Sequence, residues 1–263
     1  MKGWIMFRGK MPETRYYETF QDDFVESADQ GYQIDENYDW SRDKFWQKGL
    51  SVFTFGLAKV LAGFYALVFH VRVENKDLLK PFSNKSYYLY GNHTQPFGDA
   101  VGPFRVITGR RFATIVSPAN LGIPVLGKLL PYGGVIPTPS SRKQMKQFIE
   151  TMQKRTAENQ PVVIYPEKHV WPYYTKIRPI SLTAFHYPAY QQAPVFCMTR
   201  TYQKRRFSKR PKQTIYVDGP FLAPASLSPQ KRQRLLRDQV AQCMQNRSKL
   251  STYHYIAYER RND

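Results

Sequence analysis

The sequence predicts an α/β fold in which helices cover a mixed β-sheet and an apolar helical segment precedes the sheet. The main observation is alternation, because from residue 71 onward short apolar runs typical of strands are separated by segments with helical spacing. The strand-like runs are residues 87–90, 112–116, 135–137, 162–165, 195–198 and 214–217. With 263 residues, 42% of them hydrophobic and 15% aromatic, the chain is long enough to bury a substantial core.

Residues 1–48 are polar, acidic and aromatic, and they show no helical period. Ten of the twenty acidic residues of the chain lie before Leu50. We expect an irregular arm that wraps the surface, since the segment has many aromatic residues for its alternative, a partly disordered tail. The first ten residues have too short an apolar core, and no small-residue cleavage site, for a signal peptide.

Residues 50–69 are apolar over about the length that a membrane span requires. Lys59 lies in the middle of this segment, and a lysine at the bilayer centre costs roughly 2.5–3.5 kcal/mol. A simple span is therefore disfavoured, and two alternatives remain: a buried core helix, or a helix half-sunk in the membrane interface. We assign residues 1–48 to the arm and 49–263 to one α/β domain that includes this segment.

Two later helices have clear start signals. Ser141 followed by Gln144 three residues later resembles a capping box, and apolar positions then follow at one-face spacing: Met145, Phe148, Ile149 and Met152. Ser228-Pro229 predicts an N-cap and a first-turn proline for the last helix, whose apolar face comprises Leu236, Val240, Cys243 and Met244.

The strongest candidate for chemistry is the pair His93 and Asp99. His93 is the only histidine between His70 and His169, and Asp99 is the only carboxylate between Asp77 and Glu150. The histidine follows a predicted strand, and open α/β sheets bind ligands at the carboxyl ends of their strands. A carboxylate on one ring nitrogen fixes the tautomer and stabilises the imidazolium, so the pair is suited to removing a proton from a hydroxyl. The alternative is a helix N-cap at Asp99 and a hydrogen-bonded turn residue at His93.

A second polar cluster follows the strand-like run at 162–165. Pro166-Glu167 leads into an aromatic loop that carries Lys168, Lys176 and Arg178. Glu167 can accept hydrogen bonds from loop amides or fix a substrate hydroxyl or an arginine, and the cations can hold a phosphate. The alternative is a solvated loop whose aromatic residues only pack.

Cysteine and histidine positions predict neither a disulfide framework nor a metal centre. Cys197 and Cys243 are the two cysteines, which indicates a reducing compartment and core positions for both thiols. Glu167, His169 and His186 lack recognisable ligand spacing, so we predict no metal.

The net charge of +19 is concentrated in the last third of the chain. Such a surface attracts any polyanion: nucleic acid, anionic lipid or the phosphates of a coenzyme. A basic nucleic-acid-binding protein is therefore one alternative, although no recognised reader motif is present and the apolar segment 50–69 fits it poorly. Charge alone does not choose among these partners.

Four blocks in order resemble the glycerophosphate and lysophospholipid acyltransferases, of which 1-acylglycerol-3-phosphate acyltransferases are the familiar members. The blocks are Asn92-His93…Asp99, Gly133-Gly134-Val135-Ile136-Pro137, Tyr165-Pro166-Glu167 and Ala193-Pro194-Val195. The resemblance covers roughly residues 50–220 and depends on the ordered set rather than on one block. The loop Trp171-Pro172-Tyr173-Tyr174 is similar to that of a divergent Gram-positive branch of these proteins.

The resemblance implies a membrane-associated O-acyltransferase on the cytoplasmic face of the cell membrane, peripheral or monotopic. His93 is then the base that deprotonates an acceptor hydroxyl, Asp99 is its orienting partner, and Glu167 matches the glutamate of the third block. The acyl donor is a thioester of CoA or acyl carrier protein, which serves as co-substrate, and no cofactor is needed. The acceptor is a lysophospholipid or a related glycerolipid, and the resemblance implies an anionic membrane surface as partner and no specific nucleic acid.

This chain departs from the family pattern in its spacing and in its phosphate-binding arginines. Five residues separate His93 from Asp99 where four are usual, and Glu167 is followed by Lys168-His169-Val170 where the family has Gly-Thr-Arg. The arginine that usually ends the second block is also displaced. Replacement cations are available nearby in sequence: Arg142, Lys168, Lys176 and Arg178. The altered third block also raises the alternative of an accessory protein that binds lipid or acyl chains without catalysis.

Overall fold

The computed structural model describes residues 13–25 and 31–261. Its strands are β1 (Glu13–Tyr17), β2 (Val71–Glu74), β3 (Tyr88–Gly91), β4 (Ala113–Val116), β5 (Val135–Pro137), β6 (Val162–Ile164), β7 (Val195–Arg205), β8 (Ser208–Phe221) and β9 (Ile256–Arg260). Its α-helices are α1 (Phe45–Val68), α2 (Gly98–Val101), α3 (Pro103–Val106), α4 (Leu126–Leu129), α5 (Arg142–Ala157), α6 (His186–Gln191) and α7 (Pro229–Ser248). Short 3₁₀ turns occupy Lys76–Phe82, Pro118–Gly122, Leu130–Gly133 and Leu182–Phe185.

Seven strands form one mixed sheet in the order β2-β8-β7-β3-β6-β4-β5. The pair β7–β8 is antiparallel and every other pair is parallel. This arrangement confirms the predicted α/β class with a mixed sheet. Because β3, β4, β5, β6 and β7 run in the same direction, the loops that follow them meet at one edge of the sheet.

The hairpin β7–β8 is much longer than predicted. The run 195–198 is only the inner part of β7, which extends to Arg205. The run 214–217 is only the inner part of β8, which begins at Ser208. The prediction was too short because the outer halves carry polar and basic side chains, whose pattern is that of a loop. Backbone pairing between the two strands, from Val195↔Phe221 to Arg205↔Ser208, supplies the order that side-chain hydrophobicity does not.

Helices cover both faces of the sheet. Tyr88 and Tyr90 face a core formed with α5, α6 and α7, whereas Leu89 faces a second core formed with α1 and α3. This alternation follows from the two-residue period of a strand, and it makes β3 buried on both sides. The strand that leads to His93 is therefore held rigidly at the centre of the fold.

Helix α1 begins at Phe45, five residues before the predicted apolar segment, and ends at Val68. A narrow face that includes Ala62 and Tyr65 packs on the sheet, while large apolar side chains elsewhere are exposed: Val52, Phe53, Val60, Phe64 and Leu67. Only 22% of its most apolar window is buried, so α1 is not the buried core helix of the first alternative. By length and composition it is able to cross a membrane.

The two predicted N-caps are confirmed. Ser141 Oγ accepts from the Gln144 amide at 3.2 Å and Ser228 Oγ accepts from Lys231 at 3.4 Å. The side chain of Gln144, however, accepts from Ser140 N instead of Ser141 N, so the capping box is displaced by one residue.

The predicted apolar face of α7 is largely correct, but that of α5 is only half correct. Leu236, Val240 and Met244 are buried and Cys243 is partly buried, while in α5 Phe148 and Met152 are buried and Met145 and Ile149 are exposed. The buried face of α5 instead includes Gln144, whose amide donates to Ile34 O at 3.1 Å. A polar residue satisfied in this way takes a core position that hydrophobic spacing cannot predict.

The described part of the arm packs on the domain. Strand β1 pairs in parallel with β9 near the end of the chain, from Glu13↔Ile256 to Tyr17↔Arg260. Farther along, Ile34 and Trp40 enter the core on the α5 side of the sheet. Residues 1–12 and 26–30 lie outside the described residues, and the division of the chain at residue 48 stays a prediction.

Replacing Tyr90 with phenylalanine is expected to change the dependence of stability on alkaline pH. Burial raises the pKa of Tyr90 well above 10, and its hydroxyl donates to Ala184 O at 2.8 Å. A raised folded-state pKa stabilises the fold fully below the unfolded value of 10, and that contribution is lost as the pH rises further. Tyr90→Phe should therefore cost about 1 kcal/mol at pH 7, and this difference should shrink and reverse above pH 10.

Urea unfolding of both proteins over a pH series measures this difference. Tyr16→Phe is the matched control, since Tyr16 is 53% exposed, and its stability curve should run parallel to that of the wild type. Parallel curves for Tyr90→Phe as well would contradict the prediction.

Candidate active site

The loop that carries His93 leaves the sheet at a fixed position. At Gly91, the last residue of β3, an added Cβ would lie 2.6 Å from the Tyr165 ring and 2.9 Å from Met198 Cε. Glycine is therefore required for this close packing. The next residue, Asn92, is bonded to β7 in both directions: its amide donates to Arg200 O at 3.0 Å and its oxygen accepts from Arg200 N at 2.7 Å.

His93 and Asp99 form the predicted pair. His93 Nδ1 lies 2.9 Å from Asp99 Oδ2, and the same oxygen accepts from the amides of Thr94 and Gln95 at 2.8 Å each. The extra residue in the spacing is absorbed by a helical turn, in which Asp99 N donates to Gln95 O at 3.0 Å. Asp99 lies in the first turn of α2, whose N-cap position is Phe97, so the alternative of an N-cap at Asp99 is wrong. Its carboxylate instead binds the imidazole and the amides that precede the helix.

Of the two ring nitrogens of His93, Nδ1 faces Asp99 and Nε2 is left without a partner among the described residues. The Asp99 side chain is 3% exposed and that of His93 is 20% exposed. His93 Nε2 makes no hydrogen bond within residues 13–25 and 31–261. An imidazole held by a buried carboxylate on one side and accessible on the other has the geometry of a general base.

Arg200 is a part of the site that the sequence analysis missed. Its Nε lies 3.3 Å from Asp99 Oδ1 as an ion pair, and its Nη2 donates to Gly98 O at 2.9 Å. Burial alone would lower the pKa of Arg200, but the charge of Asp99 and nearby tyrosines outweigh burial and raise it. Arg200 is therefore a permanent cation behind the carboxylate. A lone arginine within the apolar strand 195–202 was the signal that could have revealed it.

Two tyrosines fix the orientation of the histidine loop. The Tyr165 ring stacks on the His93 imidazole with centroids 4.7 Å apart, and its hydroxyl donates to Asp99 O at 2.6 Å. Tyr202 bonds to Thr94 Oγ1 at 2.7 Å. Burial raises the pKa of both phenols, so they remain neutral donors across the physiological range.

Glu167 and Arg178 form a buried pair behind His93. Glu167 Oε2 accepts from His93 N at 2.9 Å and from Arg178 Nη2 at 3.2 Å, while Oε1 accepts from Arg178 N at 2.8 Å. The two side chains are 0% and 1% exposed. The guanidinium also donates to His169 O and lies over the Trp171 ring, 4.9 Å from its centroid. This pair connects the histidine loop to the aromatic loop.

The remaining candidate cations are exposed. Lys168 and Lys176 lie on the aromatic loop, and Arg142 is the first residue of α5. All three follow strands β5 or β6, whose carboxyl ends lie at the same edge of the sheet as that of β3. Arg178 differs from them, because its side chain is buried and paired with Glu167.

The aromatic loop is packed against both the histidine loop and the arm. Trp171 N donates to His93 O at 3.1 Å and Tyr173 N donates to Thr94 O at 2.9 Å. The indole of Trp171 donates to Asp22 O at 2.8 Å and is fully buried, with Tyr17 and Phe24 of the arm against its ring. The alternative interpretation is therefore wrong about solvation at Trp171, but correct that the aromatic ring packs.

Three side chains in the described part of the chain approach one another closely enough to share an ion. They are Cys197, Asp218 and Cys243, with the two thiol sulfurs 3.4 Å apart. The Asp218 carboxylate is already bonded to Arg247, and the neighbouring thiol together with burial raises the pKa of Cys197. We assign no metal to this cluster, because a cation there would compete with the guanidinium and require deprotonated thiols. Glu167 and His169 do not share a site either, since His169 pairs with Asp23.

No family model and no curated protein sequence matches the chain. Among solved structures, it is similar to the 1-acyl-sn-glycerophosphate (LPA) acyltransferase PlsC from Thermotoga maritima. The match has a TM-score of 0.53 and covers 77% of this chain and 83% of that chain at 11% sequence identity. The acyltransferase fold that the four blocks predicted is thereby confirmed, and the assignment to a Gram-positive branch stays a prediction.

Proposed function

We propose that this protein is a membrane-associated O-acyltransferase. It moves a fatty acyl group from the thioester of CoA or acyl carrier protein to a hydroxyl of a lysophospholipid or related glycerolipid. The observation that carries the proposal is the His93–Asp99 pair, placed after the central strand of a fold similar to that of an LPA acyltransferase.

The residues around His93 account for each proton transfer. His93 Nε2 takes the proton of the acceptor hydroxyl as its oxygen attacks the thioester carbonyl carbon, and a C–O bond forms. When the tetrahedral intermediate collapses, the C–S bond breaks and the departing thiolate receives the proton from Nε2. Asp99 stabilises the imidazolium between these steps, and Arg200 forms an ion pair with its other carboxylate oxygen.

Phosphate recognition is proposed to depend on the exposed cations. Arg142, Lys168 and Lys176 have solvent-exposed side chains at the His93 edge of the sheet and can meet the phosphates of donor or acceptor. Glu167 and Arg178, which the family pattern also suggested as substrate-binding, are buried against the His93 backbone. We propose that they act on substrate through His93, as positioning residues.

Membrane association is proposed to depend on α1. Its exposed side chains include Val60, Phe64 and Leu67, which are 66–74% exposed, and an apolar helix face of this kind is stable in the interfacial region of a bilayer. Lys59 is exposed on the same helix and can extend its ammonium toward the headgroups. We expect a peripheral or monotopic protein on the cytoplasmic face of an anionic membrane.

Acyl transfer in mixed micelles tests the proposed function. The full chain is incubated with radiolabelled palmitoyl-CoA, or palmitoyl carrier protein, and lysophosphatidate, a lysophospholipid without a terminal phosphate, or monoacylglycerol. His93→Ala should abolish transfer, whereas His186→Ala, which alters an exposed histidine on α6, should leave it unchanged.

The acceptor that is used identifies the substrate. Transfer to lysophosphatidate indicates that exposed cations replace the missing family arginine, and transfer only to the other acceptors indicates a different headgroup. No transfer from either thioester, with acyl-CoA still bound, would contradict an enzyme and favour the lipid-binding accessory protein.

A further inference from the structure

The outer end of the β7–β8 hairpin is unusually basic and has an exposed aromatic side chain at its turn. We call residues 203–212 the basic hairpin tip. It has no acidic residue and contains six cations: Lys204, Arg205, Arg206, Lys209, Arg210 and Lys212. Phe207, in the turn between the strands, is 91% exposed. This phenyl ring lies among cations, faces solvent and is not part of the core that the described residues form.

Within residues 13–25 and 31–261, no carboxylate neutralises the charge of the basic hairpin tip. None of its six cations forms an ion pair with a carboxylate that the structure describes, whereas Asp99, Asp218 and Glu167 each pair with an arginine elsewhere. Arg205 contacts His70 at 2.7 Å and Arg206 lies over the Phe207 ring, and neither contact removes positive charge. The tip therefore presents a concentrated positive field to solvent.

The hairpin projects from the edge of the sheet that carries His93. Strand β7 pairs with β3 as far as Met198, opposite Gly91, and then continues for seven residues to Arg205. In this extension Tyr202 bonds to Thr94, the residue after His93. A surface that binds the tip is therefore held close to the edge of the sheet that carries His93.

The basic hairpin tip also adjoins the carboxyl end of α1. Arg210 lies over the Phe69 ring, 5.9 Å from its centroid, and Arg205 contacts His70. The last turns of α1 expose Phe64 and Leu67, which are 66% and 74% exposed. An apolar face and a cationic tip are thus contiguous, which is the combination that an anionic bilayer surface binds.

We propose that the basic hairpin tip is a membrane-docking element that binds an anionic bilayer, with Phe207 inserted among the headgroups and the surrounding cations on lipid phosphates. The inference rests on the proposed membrane association and assigns it a second element, and it is independent of acyl transfer because docking by the tip requires no catalysis. A bilayer is favoured over nucleic acid because the surface next to the cations is the apolar face of α1 instead of a basic groove. Docking would set the height of His93 relative to the headgroup region.

Vesicle flotation of the full chain tests the proposal with matched variants. The vesicles consist of phosphatidylcholine alone or with added phosphatidylglycerol, and the measured quantity is the ratio of the two partition coefficients, in which the apolar contribution of α1 largely cancels. Arg206→Gln/Lys209→Gln should lower the ratio roughly 25-fold, about fivefold for each cation. Lys231→Gln/Arg234→Gln on α7, which begins beyond the other end of β8, removes the same charge and should change it less than twofold.

The contribution of Phe207 is measured separately. Phe207→Ser should weaken binding to phosphatidylglycerol vesicles roughly tenfold, from the apolar area of one phenyl ring. An environment-sensitive dye attached to F207C should shift to shorter emission wavelength with these vesicles. The His93→Ala variant should bind these vesicles as the wild type does although it loses transfer, so a failure of the acyltransferase proposal and a failure of docking are separable.

Three results would overturn the proposal. The first is a fall in the ratio of partition coefficients for the α7 control variant that is as large as the fall for the hairpin variant, which would show that net charge alone is responsible. The second is an unshifted dye at position 207. The third is binding to duplex DNA at physiological salt that the hairpin variants abolish while vesicle binding persists, which would identify the tip as a nucleic-acid surface.

Discussion

Replacing Asp99 with asparagine is expected to reduce acyl transfer by about 100-fold or more and to destabilise the fold by about 3–5 kcal/mol. Asp99 Oδ2 accepts from two amides and lies beside His93 Nδ1, and asparagine keeps these bonds to the amides only if its side-chain oxygen occupies the same position. Its NH₂ group then faces Arg200, which is buried and loses its counter-charge. The opposite orientation places the NH₂ group against the Thr94 and Gln95 donors. Either arrangement removes the charge that stabilises the imidazolium.

Single-turnover kinetics and urea unfolding measure the two effects of Asp99→Asn. Asp218→Asn is the matched control, because Asp218 is bonded to Arg247 but lies in a different part of the sheet. The control should lose stability without a change in the chemical step, since Arg247, the partner of Asp218, lies in the last turn of α7 and not in the histidine loop. If Asp99→Asn retained the wild-type rate of transfer while His93→Ala did not, Asp99 would serve only as an acceptor for the Thr94 and Gln95 amides.

The sequence was sufficient for the central strands and for the pair His93 and Asp99, because both produce local signals. Buried strands are continuous apolar runs, and a single histidine close to a single carboxylate is conspicuous in a segment that is otherwise free of acids. The extra residue between them did not prevent pairing, since a helical turn at Asp99 absorbs it.

Other parts of the site could not be predicted because they depend on contacts between distant segments. Arg200 reaches Asp99 only because β7 pairs with β3, and nothing near Arg200 in the sequence indicates that contact. Arg178 was expected among exposed phosphate-binding cations, but the fold of the aromatic loop returns it to Glu167. The pairing of β1 with β9 joins opposite ends of the chain, and neither strand has a strong apolar alternation by itself.

The buried pair Glu167–Arg178 is expected to behave as one unit. Arg178→Met leaves a carboxylate that is 0% exposed without its guanidinium, and the loss of one partner from a buried pair costs about 3–5 kcal/mol. Glu167→Gln is expected to cost a similar amount, because all the groups that Glu167 binds are donors and an amide NH₂ must face one of them. Both variants should also slow transfer, since Glu167 holds the His93 backbone.

A double-mutant cycle separates this positioning role from direct substrate binding. The variant Glu167→Gln/Arg178→Met should be more stable than the sum of the single losses predicts, by about 2 kcal/mol. Arg232→Met is the control, because Arg232 is also buried but, among the described residues, bonds only to the carbonyls of Ala189, Ala225 and Leu227. It should lose stability without slowing transfer at a temperature where it is folded. If Arg178→Met instead raised KM for a phosphate-bearing acceptor and left stability unchanged, Arg178 would be the phosphate ligand that the family pattern suggests. The expected result is a lower kcat, because His93 is then less well fixed relative to both substrates.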